Sequence, residues 1–226
     1  MSWLLVVAHP DDEVLGAGAT MRKLAERGEE IYVAVMSYDA DARANRPADE
    51  DLHADAERAM EMLGVKKIYK GTFPNIRLNN VPHLELVQFI EKAIMDCGAD
   101  HIITHHPSDL NNDHLHTSLA CQAAVRLFQR RADAPALKEL WYMEVLSSTE
   151  WALDKGMHSF DPTIFVEIGK DCLDKKLEAL SLYRGVMRDY PHPRSPQALE
   201  GLAAYRGAQG GVNYAEAFQL AMRRFV

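Results

Sequence analysis

The chain reads as an α/β protein with a Rossmann-like, mostly parallel sheet flanked by helices on both faces. Three observations predict this. The apolar runs Trp3-Leu4-Leu5-Val6-Val7-Ala8 and Ile31-Tyr32-Val33-Ala34-Val35-Met36, and the shorter His101-Ile102-Ile103-Thr104, read as short buried strands. Stretches with helical spacing alternate with them, as in βαβ units with right-handed crossovers. The richest polar clusters fall directly after strands, where open α/β sheets place their ligands.

Taken in order, the first strand covers 3–8. Residues 14–27 carry Leu15, Met21, Leu24 and Ala25 at helical spacing and stop at Gly28, a C-cap. The second strand, 31–36, leads into a polar, alanine-rich stretch at 37–49, the length of an active-site loop. A helix at 50–63 has Leu52, Ala56, Ala59, Met60 and Leu63 on one side and Gly64 as its stop. Strand 66–70, helix 83–97 and strand 101–104 follow. The later part is less regular. Leu140 to Leu146 and Thr163 to Ile168 read as strands, 169–184 and 196–207 as helices, and Ala215-Glu216-Ala217-Phe218 has helical spacing. No repeat, low-complexity segment or linker divides the sequence, so residues 1–226 are expected to form one domain.

That length suffices to bury a substantial core. The 25 basic and 33 acidic side chains leave a formal charge of −8, which argues against nucleic acid or an acidic membrane surface as the main partner. Local basic groups can still hold an anionic small molecule. Cys97, Cys121 and Cys172 are far apart and form no CxxC pair, as expected of thiols in a reducing compartment. Neither a basic start nor a cleavage site precedes the first strand, and no apolar stretch approaches the roughly 20 residues of a membrane span. A soluble, cytoplasmic protein is expected.

Two clusters carry the chemistry. His9-Pro10-Asp11-Asp12-Glu13 follows the first strand, and Pro107-Ser108-Asp109-Leu110-Asn111-Asn112-Asp113-His114 follows the strand at 101–104. In a parallel sheet both open on one edge. Three acids and an imidazole packed together repel one another unless a cation joins them. His9, Asp12 and His114 form the His₂-carboxylate set that catalytic zinc accepts while leaving a position open for water. Asp11, beside a ligand but facing elsewhere, has the requirements of a general base. Glu13 falls in the first turn of the helix, where it satisfies free amides or orients a ligand. The plainer alternatives are a helix N-cap with acidic residues favouring the dipole and an ordinary Asx-rich turn. The joint occurrence of both clusters after two strands disfavours them.

These two motifs resemble the LmbE-like/PIG-L family of zinc-dependent N-deacetylases. The similarity extends over nearly the whole chain, through Thr104-His105-His106, Ser147-Ser148-Thr149-Glu150-Trp151, Pro191-His192-Pro193-Arg194-Ser195 and Tyr214-Ala215-Glu216-Ala217-Phe218. The resemblance implies zinc at His9, Asp12 and His114, with Asp11 as general base and then general acid in removing an N-acetyl group from N-acetylglucosamine or a related amino sugar. The substrate would be a free, nucleotide-linked or otherwise conjugated sugar of a bacterial glycan pathway. Proteins of this type often form homo-oligomers. The ligand set also accepts Fe(II), Co(II) and Mn(II).

Two positions depart from the family pattern. Asn111 stands where many members carry a histidine that stabilises the oxyanion. It can donate an amide hydrogen bond but carries no charge, so Asn111 or the nearby His106 is expected to serve as oxyanion donor. Asn75, in Phe73-Pro74-Asn75, stands where an Asp is common. Asp113 is expected to orient Asn111 or a ligand. Two other readings compete: a metal-dependent hydratase of an unsaturated acid, with arginines aimed at substrate carboxylates, and a sugar-binding member without turnover.

Further candidates line the rest of the chain. Arg43 and Arg46 either fork onto substrate hydroxyls or a phosphate or are solvated loop cations. Arg77 is a substrate contact or a salt-bridge partner. His192 and Arg194, in a segment stiffened by prolines, are candidate substrate contacts. His53 and Asp55 read as surface, Tyr183 and Tyr190 as packing or caps, and Trp141, Tyr142 and Trp151 as core or as an aromatic wall for a sugar ring.

Overall fold

The computed structural model describes residues 1–39, 49–153 and 159–225. Seven strands form one sheet, in chain order β1 (Ser2–Val7), β2 (Glu30–Val35), β3 (Lys67–Lys70), β4 (His101–His105), β5 (Glu139–Met143), β6 (Ile164–Glu167) and β7 (Ala215–Arg223). Six helices accompany them: α1 (Asp12–Glu26), α2 (Asp49–Leu63), α3 (His83–Cys97), α4 (Asn112–Ala124), α5 (Gly169–Leu182) and α6 (Pro196–Gly210). The spatial order of strands is β3-β2-β1-β4-β5-β7-β6. The pairs from β3 through β5 are parallel, and β7 runs antiparallel to both β5 and β6.

Both faces of the sheet are covered, which is why β1 is apolar throughout. Successive side chains of a strand point to opposite faces. Trp3, Leu5 and Val7 join the core built from α1, α2 and α5, whereas Leu4 and Val6 join the core of α3 and α4. A smaller cluster of Ala19, Ile168, Cys172, Leu173 and Ala203 ties α1 and α5 to α6. The strand order reverses between β1 and β4, since the chain winds one way from β1 and the other way from β4. Such a switch point leaves a crevice between the loops that leave two neighbouring strands.

Helix α1 is not continuous. Ala17 has φ −147° and ψ 19°, outside the helical region. The run Gly16-Ala17-Gly18-Ala19 also allows close packing: a Cβ on Gly16 would lie 2.4 Å from Met143 Sδ, and one on Gly18 3.2 Å from Lys176 Cγ.

Two sequence expectations need correction, and one helix went without any. Residues 215–218 form a strand rather than a helix. The small alanines favour a helix locally, but pairing on both sides sets the conformation, and Phe218 is completely buried. Helix α4, directly after the second cluster, has no expectation because its apolar residues follow no clear stripe. Asp55 is fully buried, accepting from the Arg184 backbone N–H at 3.3 Å and from Arg58 Nη2 at 2.6 Å. Among the described residues no helix is long and apolar enough to cross a membrane.

Because Phe218 seals the sheet against Trp141 and the α1 side of the core, Phe218→Ala is expected to cost about 3–5 kcal/mol, read by urea unfolding. A loss below about 1 kcal/mol would mean that β7 does not close the core.

Candidate metal centre and active site

The two polar clusters meet at the switch point. His9 stands in the turn after β1, Asp12 opens α1 and His114 lies in the first turn of α4. One ligand atom from each falls within 4.8 Å of the others, and all three side chains are buried. Asp12 is central. Its Oδ2 accepts from the His9 backbone N–H at 2.9 Å and lies 3.3 Å from His9 Nδ1 and 3.2 Å from His114 Nε2.

The second nitrogen of each imidazole faces another carboxylate: His9 Nε2 lies 3.0 Å from Asp113 Oδ2, and His114 Nδ1 lies 3.1 Å from Asp109 Oδ1. Such pairs fix tautomer and ring plane and leave the inner nitrogens free for an ion. These carboxylates are themselves anchored. Asp113 accepts backbone N–H bonds from Ile76 at 2.6 Å and Leu78 at 3.0 Å. Asp109 accepts the hydroxyls of Ser148 and of Thr149, the latter at 2.6 Å, and the Asn111 N–H at 2.8 Å. A desolvated, converging His₂-carboxylate set with both imidazoles locked fits a divalent cation.

His105, Asp109 and His114 form a second close group that shares His114. His105 Nε2 already accepts from the Ala8 N–H at 2.9 Å, and its ring stacks on His114 at 3.9 Å between centroids. Asp109 is occupied by its donors. The first group is therefore the better candidate.

Asp11 is the N-cap of α1, with φ 113° and ψ −29°, a strained conformation for a residue with a Cβ. Its N–H donates to Glu13 Oε2 at 3.1 Å, and its Oδ2 accepts from Arg194 Nη1 at 3.2 Å. Glu13 also accepts the hydroxyl of buried Tyr183. Ile76, bonded to Asp113, has φ 58°, equally unusual for a β-branched residue. Both strained residues border the same centre.

The PIG-L family profile, described as GlcNAc-PI de-N-acetylase, matches residues 4–125. That span holds both clusters and more than half of the chain. The chain belongs to the PIG-L family. A relative of this PIG-L protein, the uncharacterized deacetylase YaiS of Escherichia coli (strain K12), is 26% identical over 189 residues, 80% of this chain and 89% of its own length. The fold matches that of N,N'-diacetylchitobiose deacetylase from Pyrococcus horikoshii, with a TM-score of 0.76, 22% identity and coverage of 97% of this chain and 83% of that one. It also matches 4-carboxy-2-hydroxymuconate hydratase from Pseudomonas putida KT2440, with a TM-score of 0.78, 19% identity and coverage of 100% and 98%. At these identities the two structures speak for the fold alone.

The remaining candidates fall in several places on this PIG-L chain. Arg194 reaches the centre through Asp11. Exposed His192 accepts the Arg194 backbone N–H on Nδ1 at 3.0 Å, so it shapes the loop that delivers Arg194. Asp113 orients His9 rather than Asn111. The order is reversed there, since Asn111 Oδ1 caps α4 by accepting the Asp113 N–H at 2.9 Å. His106 Nδ1 faces Ser108 Oγ at 2.7 Å, with its ring edge-on to Tyr142 and Phe160. Arg77 is exposed next to strained Ile76. Trp141 belongs to the core, Trp151 is 52% exposed, and Asn75 is buried. Arg43 and Arg46 lie outside the described residues. Sequence reasoning gave no role to Asp109, Ser148, Thr149 or His105. A carboxylate five residues before a ligand His, within the second cluster, was the available signal for Asp109.

Charge is tightly coupled here. In the ion-free PIG-L chain, burial alone would lower His114, but Asp12 and Asp109 more than offset this and raise it to about 10. Burial, with His114 nearby, drops His105 to about 3. Burial also pushes Glu13 up to about 8, and the charges of Asp11 and Asp12 add to the shift.

Two outcomes follow. A group whose folded pKa is raised contributes stability in full below its unfolded pKa and loses it as pH rises through the folded value. The melting temperature of chelator-treated protein is therefore expected to fall between pH 7 and 10, and His114→Gln to flatten that slope; a slope unchanged in the variant would contradict the assignment. Asp109→Asn and Asp113→Asn are each expected to weaken zinc binding by about 10- to 100-fold in a competition titration.

Proposed function

We propose that this chain is a zinc-dependent N-deacetylase, a hydrolase of linear amide C–N bonds that acts on an acetylated amino sugar or sugar conjugate in the cytoplasm. The observation that carries this reading is the buried His9–Asp12–His114 group with a separate carboxylate, Asp11, held beside it by Arg194 and a strained turn. His9, Asp12 and His114 would hold the ion, and Fe(II) or Co(II) could take its place. When bound, zinc supplies Lewis acidity, lowering the pKa of water and polarising an amide carbonyl.

The protein's own groups do the rest. Asp11 takes the proton of the attacking water and returns it to the departing amine, so that acetate and a free amino sugar leave. Arg194 holds the Asp11 carboxylate in one orientation. Because Asn111 Oδ1 is committed to the helix cap, its NH₂ is left to donate to the oxyanion. His106 is the alternative oxyanion donor, its Nδ1 accepting the Ser108 N–H and so setting the Nε2–H tautomer. Asp113 and Asp109 keep the two imidazoles aligned. Arg77, His192, Arg43 and Arg46 are assigned to sugar hydroxyls or to the phosphate of a nucleotide-linked substrate.

One pair of observations favours a second reading, hydration of an unsaturated acid. Asn111 offers no charged oxyanion donor, and the Arg194 guanidinium beside Asp11 could receive a substrate carboxylate.

Acetate release across free, nucleotide-linked and disaccharide N-acetylhexosamines separates the two. The expected result is metal-dependent acetate from at least one, with kcat reduced about 10²- to 10⁴-fold in Asp11→Asn while zinc stays bound by metal analysis. Full activity in Asp11→Asn would overturn the mechanism. Bound zinc without acetate, together with hydration of an unsaturated dicarboxylate, would favour the second reading.

A further inference from the structure

The catalytic turn is almost detached from the helix that follows it. The break at Ala17 leaves Asp12–Gly16 as about one turn, with Asp11 as its cap and Asp12 and Glu13 at its start. A helix end needs partners for its free carbonyls, and a helix start needs partners for its free N–H groups. At this break both come from one buried ion pair contributed by distant parts of the chain. Lys176 Nζ, from α5, donates to the Leu15 carbonyl at 2.7 Å and to Glu216 Oε1 at 2.6 Å. Glu216, from β7, accepts the N–H of Ala19 at 3.2 Å and of Thr20 at 2.7 Å. Both side chains are less than a tenth exposed. A buried ion pair is weak evidence for stability, since two apolar residues often do as well. Here three hydrogen bonds from the pair, to the Leu15 carbonyl and to the Ala19 and Thr20 N–H groups, are placed where the break in the helix requires them.

We infer that Lys176 and Glu216 are positioning residues for the active site: the pair splices the broken helix and thereby sets where Asp11, Asp12 and Glu13 stand relative to His9 and His114. Lys176 ends the first turn, and Glu216 starts the remainder, so a shift of either moves one piece of α1 against the other. The small residues at 16–19 let α5 and β5 come close enough for this contact. The role in the reaction rests on the deacetylase reading, while the splice itself does not.

The test compares Glu216→Gln, Lys176→Met and the double variant, which leaves no lone buried charge if a single variant fails to fold. Glu144→Gln is the control. Glu144 lines the same pocket as Lys176 and Glu216 but is bonded to Arg206 rather than to α1. Three readouts are taken: amide hydrogen exchange over residues 12–20 without metal, the visible absorption of the cobalt(II)-loaded protein, and kcat and KM on a sugar that the parent deacetylates.

For Glu216→Gln and the double variant, the expected result is faster exchange at residues 12–20 and an altered cobalt spectrum. With them, kcat should fall about 10- to 100-fold while KM stays within about twofold, the scale of loss when a group supporting a metal site is removed. Glu144→Gln should change none of these. Unaltered exchange and cobalt spectrum in the folded variants, with only a lower melting temperature, would overturn the inference. So would a loss of kcat in Glu144→Gln equal to that in Glu216→Gln. If the parent deacetylates no sugar, the deacetylase reading fails, while exchange and cobalt spectrum still decide the splice.

Discussion

The desolvated carboxylate of Asp12 is the constraint around which the molecule is arranged. A buried carboxylate must be paired and hydrogen-bonded or it is protonated. Asp12 meets this demand with a backbone N–H and two imidazoles, and those imidazoles lean on two further carboxylates, Asp109 and Asp113. With neutral imidazoles, these three carboxylates carry three negative charges, and a divalent ion leaves one. Burial alone would lower His114 and His9, but the carboxylates that face them more than offset it and raise both values. The layers outward follow from the same need. The loops at 75–78 and 148–149 supply the donors that hold Asp113 and Asp109.

Much of this was legible in the sequence. β1, β2 and β4 are buried on both faces, so their apolar runs are unbroken, and helix 83–97 has a clean stripe and a Gly98 cap in the left-handed conformation. The two polar clusters are local, and the parallel topology alone brings them to one edge. The parts that could not be read depend on partners far along the chain. β7 looks helical because alanines are good helix formers, and only pairing with β5 and β6 makes it a strand. Asp55 resembles any acid on a polar helix face until Arg184 closes over it. Lys176 and Glu216 sit in ordinary amphipathic contexts, and nothing nearby marks the break at Ala17 that gives them a task.

Asn111 shows how one residue can serve two demands that conflict. As the cap of α4 it accepts the Asp113 N–H, which places Asp113 against His9 and fixes the start of the helix that bears His114. A side-chain amide performs this with its oxygen and keeps its nitrogen in reserve. An imidazole at that position would bring a charge to the reaction but would lose the carbonyl-type acceptor. The choice of residue at 111 therefore bears on the helix cap as well as on any charge brought to the site.

The antiparallel insertion of β7 between β5 and β6 bears on how the protein matures. His9, Asp12 and His114 are all present once residue 114 has been synthesised, yet the Arg194 contact to Asp11 and the Glu216 contact to α1 arrive some 80 to 100 residues later. At about 5–20 residues per second, a nascent chain spends several seconds with these three side chains made and the Asp11 turn unfinished. Contacts of such long sequence separation also slow folding. The turn that carries Asp11 is thus finished only once the sheet is closed.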